Sequence, residues 1–169
     1  DCMAADEARR KLHEFFPRRD ETALRVPPRR WPAPECDVTV IIPTYNNAAQ
    51  IGGTVRSVLS QKTDARLELL VINDGSTDDT ARKLAAFADE RLRVIGQENR
   101  GVSEARNTGV DMARGAYIFF LDGDDILLPG AIDALMRAAR RENADLVQGG
   151  YDLLTVDDAL IRRCPGPEG

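Results

Sequence analysis

VTVIIPTYNNAAQIGGTVRSVL, residues 38–59, changes its apolar period once, and that change decides the fold class. Val38 to Pro43 is an apolar run of strand length, rich in β-branched residues, so it reads as a strand buried on both faces. Beyond the polar break at Tyr45-Asn46-Asn47, Ile51, Val55, Val58 and Leu59 fall at i, i+4, i+7 and i+8, the apolar stripe of a helix. The alternation then repeats. Leu67 to Ile72 is a second strand, followed by a helix that Ser76 is placed to cap, with Asp79 closing a capping box and Asp78 on the positive end of the dipole. Leu92 to Ile95 is a third strand. Val102, Ala105, Gly109, Met112 and Ala113 line the next helix, and Gly115 is placed to end it in a left-handed conformation. Tyr117 to Leu121 is a fourth strand. Pro129 then suits a first helical position, with Ile132, Leu135, Met136 and Ala139 facing inward and Arg137, Arg140 and Arg141 complementing the C-terminal end. Ala144 to Leu154 reads as a fifth strand, bent near Gly149-Gly150, and no periodic segment follows it.

Successive strand-helix units predict an α/β fold with a mostly parallel sheet, because parallel neighbours need a crossover and a helix supplies it. Ligands of such sheets bind beyond the carboxyl ends of the strands. The unusual residues sit at those ends: Pro43-Thr-Tyr-Asn-Asn47, Asn73-Asp-Gly-Ser76, Asn99-Arg-Gly101 and Asp122-Gly-Asp-Asp125. One rim is thereby predicted to gather the chemistry.

Composition narrows what that chemistry can be. A chain of 169 residues supports one core, and its 43% hydrophobic and 30% charged content excludes wholesale disorder and a membrane-embedded chain. The longest apolar stretch, Ala116 to Leu121, is far below the roughly 18 residues of a spanning helix. A net charge of −5 argues against nucleic acid as the main partner. The single histidine, His13, lies in a segment peripheral to the alternating pattern, so imidazole-based catalysis and histidine metal centres are disfavoured. Cys2, Cys36 and Cys164 are odd in number and far apart, which predicts neither a disulfide framework nor a zinc site, and a reducing compartment. Residues 3–16 carry Ala8, Leu12, Phe15 and Phe16 at helical spacing; from Pro17 to Pro34 prolines and arginines dominate, the composition of a solvated spacer. The chain opens on Asp1 rather than Met, which suggests a piece of a longer protein.

The rim residues carry more than one reading. Asp122, Asp124 and Asp125 repel one another unless a cation offsets their charge, and an all-oxygen set selects Mg²⁺ or Mn²⁺; a solvated acidic turn capping the next helix is an equal alternative. Tyr45 could offer its ring to a nucleobase and Asp74 could accept a base N–H, although each residue alone is more often structural. Arg106 could pair with phosphate or with a rim carboxylate. Two common nucleotide folds are excluded, because the loop after the first strand is not G-x-G-x-x-G and no G-x-x-x-x-G-K-[ST] occurs.

Taken together, V-T-V-I-I-P-T-Y-N-N (38–47), L-L-V-I-N-D-G-S-T-D-D-T (69–80), N-R-G-V-S-E-A-R-N-T-G (99–109) and F-L-D-G-D-D (120–125) resemble the family 2 glycosyltransferases. The resemblance runs from about Val38 to about Leu154. It implies a Rossmann-like GT-A three-layer sandwich, cut short after the donor-binding half, and three segments: a helix and Pro/Arg-rich linker (1–36), a nucleotide-sugar-binding domain (37–154) and a tail belonging to an incomplete acceptor half (155–169). It further implies a nucleoside-diphosphate-sugar donor, most often a UDP-sugar, and transfer with inversion to a hydroxyl of a glycan, glycolipid or polyol. Pro43 and Tyr45 would border the base, Asp74 would hydrogen-bond it, Arg106 would lie near the nucleoside or diphosphate, Asp122 would face the ribose, and Asp124 would ligate Mn²⁺ or Mg²⁺. The family's general base is expected beyond the end of this chain, so no catalytic residue is assigned; Asp152, Asp157 and Asp158 would be guesses. A cytoplasmic setting, at the inner face of a membrane through peripheral association of the parent protein, is also what the resemblance suggests. Two alternatives remain: a non-catalytic nucleotide-sugar-binding or interaction module that kept the fold, and a sugar-nucleotide-forming nucleotidyltransferase, which would want a Gly-rich phosphate loop after the first strand.

Overall fold

The structure is a computed structural model that describes residues 32–154 and 160–166. The helix expected over 3–16, and the spacer up to residue 31, lie outside the described residues, as do His13, Cys2, Asp157 and Asp158.

Four strands form a parallel sheet: β1 (Cys36–Thr44), β2 (Leu67–Asp74), β3 (Leu92–Gln97) and β4 (Gly115–Phe120), in the order β3-β2-β1-β4. Val40 pairs with Leu69 on one side and Phe119 on the other, so β1 is central. This accounts for the unbroken apolar run of Val38 to Ile42, because a central strand of a parallel sheet is covered on both faces. Alternate residues supply two separate cores. Val38, Val40, Ile42, Leu69 and Val71 pack with Ile51, Val55 and Val58 of α1 (Ile51–Leu59), with Leu84 of the short α2 (Thr80–Leu84), and with Ile132 and Met136 of α4 (Ala131–Glu142). Ile41, Leu70 and Ile72 pack instead against Ala105 of α3 (Val102–Met112). Helices thus cover both faces, giving the three layers of the expected Rossmann-like α/β sandwich. Gly109 lets α3 approach closely, since a Cβ there would lie 2.4 Å from the Ile41 side chain.

The structure departs from the sequence reading at several ends. α2 begins at Thr80 and its preceding Asp79 makes no side-chain cap, so the Ser76–Asp79 capping box does not form. Ser76 Oγ instead accepts a hydrogen bond from the Asn46 amide of the neighbouring loop. Gly115 does not end α3 in a left-handed conformation; it opens β4 against Thr39, where a Cβ would lie 2.4 Å from the Thr39 nitrogen. Pro129 precedes Gly130, the left-handed N-cap of α4, rather than occupying the first helical position. The fifth strand is short, β5 (Tyr151–Leu154), and does not join the sheet. It pairs antiparallel with β6 (Leu160–Cys164), which corrects the expectation that no regular segment follows Leu154. Leu-Ile-Arg-Arg-Cys carries no alternation, so pairing with β5 rather than an apolar period defines this strand.

Candidate functional site

The carboxyl ends of β1, β2 and β4 and the loop entering α3 border one cleft of about 490 Å³, and Pro43, Tyr45, Asp74, Arg106, Asp122 and Asp124 all line it. The six residues come from four separate stretches of sequence and converge because the parallel order puts the ends of β2, β1 and β4 side by side.

Two hydrogen-bonded layers shape one end. Gly75 turns the chain sharply after β2 at φ +73°, with no room for a Cβ, which would lie 2.7 Å from the Asn99 nitrogen. Asp74, only 3% exposed, accepts hydrogen bonds from Gln97 Nε2 (2.7 Å), the Arg100 amide (3.0 Å) and the Gly101 amide (2.8 Å). Burial by itself would raise its pKa, but these donors outweigh it and hold the carboxyl below the usual range. Asp74 therefore fastens the Asn99-Arg-Gly101 loop to the end of β2. Across the cleft floor, Asn46 adopts φ +52° and its Oδ1 accepts from the Thr77 amide (2.8 Å) and Thr77 Oγ1 (3.3 Å). The Asn47 amide donates to Thr80 Oγ1 and the Ala48 amide to Asp78 Oδ2, each at 3.0 Å. These bonds dock the first loop on the second and leave the Tyr45 ring 48% exposed at the cleft mouth.

The other end is acidic. Arg106 donates to Asp122 Oδ1 at 2.6 Å, pairing it with a rim carboxylate. Asp124 is exposed and, among the described residues, has no hydrogen-bond or ion-pair partner. Asp125 has its pKa raised, first by desolvation and then by the neighbouring charges of Asp124 and Asp122. Among the described residues no three Asp, Glu, His or Cys side chains are disposed to hold a metal by themselves. Two buried polar atoms border the same cleft without partners: Arg106 Nε and Thr44 Oγ1, the latter on a residue 3% exposed. Thr44, Asn47 and Gly123 were not singled out from sequence. The signal is steric: a Cβ on Gly123 would lie 2.8 Å from Asn47 Nδ2 and 3.0 Å from Thr44 Oγ1, so only glycine lets the acidic loop close onto β1.

The fold is an α/β sandwich with its cleft at the carboxyl ends of the strands, and the comparisons narrow the class. Residues 39–166 match the family described as glycosyl transferase family 2. The glycosyltransferase GlyG of Streptococcus pneumoniae is 36% identical over 117 residues, covering 68% of this chain and 38% of that protein. The UDP-Glc:alpha-D-GlcNAc-diphosphoundecaprenol beta-1,3-glucosyltransferase WfgD of Escherichia coli is 33% identical over 132 residues, covering 78% of this chain and 51% of that protein. The crystal structure of S. aureus TarS in complex with UDP-GlcNAc shares the fold, with a TM-score of 0.59 at 20% identity over 72% of this chain and 41% of that one. The chain belongs to glycosyl transferase family 2. It spans between about two fifths and about a half of the length of these two curated relatives. Among the described residues no helix is long and apolar enough to cross a membrane.

Proposed function

We propose that the cleft binds a nucleoside-diphosphate sugar, most directly a UDP-sugar, and that the whole protein transfers the sugar with inversion to a hydroxyl acceptor. The observation that carries this reading is the division of one cleft into an exposed aromatic beside a fixed loop and an acidic end that keeps one carboxylate, Asp124, without a partner among the described residues. Tyr45 is disposed to stack on a base, and Asp74 retains lone-pair capacity for a base N–H beyond its three protein donors. Asp122, steadied by Arg106, is suited to accept from ribose hydroxyls. The choice of UDP follows WfgD, which is named for UDP-Glc.

The donor set fits Mn²⁺ or Mg²⁺. These ions take one or two protein carboxylates and fill their remaining positions with water and phosphate oxygens, which suits a site where, among the described residues, Asp124 has no partner and no protein cage is formed. When bound, such an ion neutralises the charge that grows on a departing nucleoside diphosphate. Asp124 would hold it, beside the neighbouring carboxylates Asp122 and Asp125. Asp152 sits on β5 in an ion pair with Arg163 (3.1 Å) and does not line the cleft, so it takes no role as base. A lipid-linked or polysaccharide acceptor at the inner face of a membrane is the acceptor class we favour, by analogy with the diphosphoundecaprenol acceptor in the name of WfgD.

Thermal unfolding with UDP, GDP, CDP, ADP and dTDP, each with and without Mn²⁺, tests the reading alongside Asp124→Ala. Ligand at about 100 times Kd should add roughly 2.7 kcal/mol of stability for the correct nucleotide. The expected result is stabilisation by UDP that requires both Mn²⁺ and Asp124. Equal stabilisation of Asp124→Ala, or none by any nucleotide, overturns the assignment.

A further inference from the structure

The acidic loop between β4 and α4 has no regular structure, and three of its backbone groups, with one in the first turn of α4, are held by side chains of one helical face. Thr54, Ser57 and Gln61 stand at i, i+3 and i+7, the spacing that aligns side chains along one face of α1 and its C-terminal turn. Thr54 Oγ1 donates to the Gly123 carbonyl at 2.9 Å. The Leu127 amide donates to Ser57 Oγ at 3.0 Å, and that hydroxyl in turn donates to the Thr54 carbonyl at 2.7 Å. Gln61 uses both ends of its amide, donating to the Leu128 carbonyl at 3.0 Å and accepting from the Ile132 amide at 3.4 Å. Thr54 is wholly buried and Gln61 nearly so, and neither has water to fall back on.

Buried polar side chains cost stability unless their hydrogen bonds are made, and when all are made they select one arrangement of the backbone they touch. Here the arrangement selected is that of Asp122-Gly123-Asp124, because the residue held by Thr54 lies between the two carboxylates. Leu127, 8% exposed, anchors the loop in the core, while Ile126 and Leu128 on either side point outward. A loop anchored by Leu127 alone could still pivot about it. The Gly123 bond removes that freedom.

We propose that Thr54, supported by Ser57 and Gln61, is a positioning residue: α1 sets the register of the acidic loop and thereby the affinity of the cleft for a divalent ion with a diphosphate. The affinity part rests on the donor-site reading above; the register part does not.

The test uses this chain with Thr54→Val, which keeps the shape and loses the hydroxyl, and Thr54→Ser, which keeps the hydroxyl. Hydrogen exchange is followed in the ligand-free protein, and UDP is titrated with and without Mn²⁺. In Thr54→Val, the hydrogen-bonded loop amides of Asp125 and Leu127 should exchange about tenfold faster, the scale of one lost hydrogen bond, while β1 and β2 amides stay at wild-type rates. Mn²⁺-dependent UDP affinity should fall by a similar factor with Mn²⁺-free affinity unchanged, and Thr54→Ser should restore both. Should Thr54→Val fail to fold, Ser57→Ala replaces it, with the Leu127 amide as the reporting position. Unchanged exchange in the loop, uniform acceleration across the sheet, or Thr54→Ser behaving like Thr54→Val overturns the proposal. Faster loop exchange with undiminished Mn²⁺-dependent binding overturns its affinity part. If wild type shows no Mn²⁺-dependent UDP binding, the donor-site reading fails, and loop exchange alone decides the register.

Discussion

Asp74, the last residue of β2, and Asp124, in the loop after β4, line the same cleft, and the fold uses them in opposite ways. Asp74 is buried and accepts three hydrogen bonds from the Gln97–Gly101 segment, so its charge is engaged in holding two loops together. Asp124 is exposed, unpartnered among the described residues and flanked by carboxylates, so its charge is directed outward. The contrast shows how one cleft combines an end whose carboxylate is tied to a neighbouring loop with an acidic end whose carboxylates crowd one another. Residues that stabilise a fold and residues that wait for a ligand differ in their partners rather than in their type.

The strongest way to break the comparison is Asp74→Ala. It would strand two backbone amides and the Gln97 amide, and we expect a loss of about 3 kcal/mol in urea unfolding, since buried donors deprived of a charged acceptor are costly. A loss below about 1 kcal/mol would mean that water replaces the carboxylate and that the end is not rigid.

Asp124→Ala should behave in the reverse sense. Its stability without ligand should stay within about 0.5 kcal/mol of wild type, as for an exposed residue with no partner. Calorimetry in saturating UDP and Mn²⁺ should then lose up to roughly 2.7 kcal/mol of ligand stabilisation relative to wild type. A large ligand-free destabilisation would place Asp124 with Asp74 as a structural carboxylate.

Arg106 stands between the two cases, bonded to Asp122 yet with its Nε buried and unpartnered. Arg106→Lys keeps the charge but loses the planar fork, and UDP affinity measured by titration should fall about tenfold, with a smaller change in unfolding free energy.

The smallest effect, and the one that sharpens the contrast most directly, is pH dependence. The folded pKa of Asp74 lies below its unfolded value of about 3.9, so its contribution is complete above that value and is lost as pH falls through the folded pKa. Asp125 has the opposite sign: its folded pKa is raised, so the native state binds the extra proton and stability declines as pH rises from the unfolded pKa through the folded one. Comparing each Asp→Asn variant with wild type between pH 3 and pH 7 should therefore show a penalty for Asp74→Asn that grows with pH and a relief for Asp125→Asn that also grows with pH. Differences of the same sign for both variants would contradict the division of the rim.

Much of this was legible in the order of residues. The apolar runs at 38–42 and 67–72 marked strands buried on both faces, and the stripe through Ile51, Val55 and Val58 marked a helix over one of those faces, because burial imposes those periods on any chain that folds this way. The clustering of Pro43, Tyr45, Asp74, Arg106, Asp122 and Asp124 at one rim followed from parallel order alone. What the chain order could not show was which of these residues would be engaged. Asp74 is bound by donors 23 to 27 positions away, Ser76 forgoes its own helix to serve Asn46, and Thr54 reaches a carbonyl 69 positions on. Hydrogen-bond partners so distant are selected by the packing of whole elements. Sequence determined where the carboxylates would gather, since that depends on local period and strand order; only the tertiary structure decided which are tied down and which have no partner among the described residues, since that depends on which donors the packed loops bring within about 3 Å.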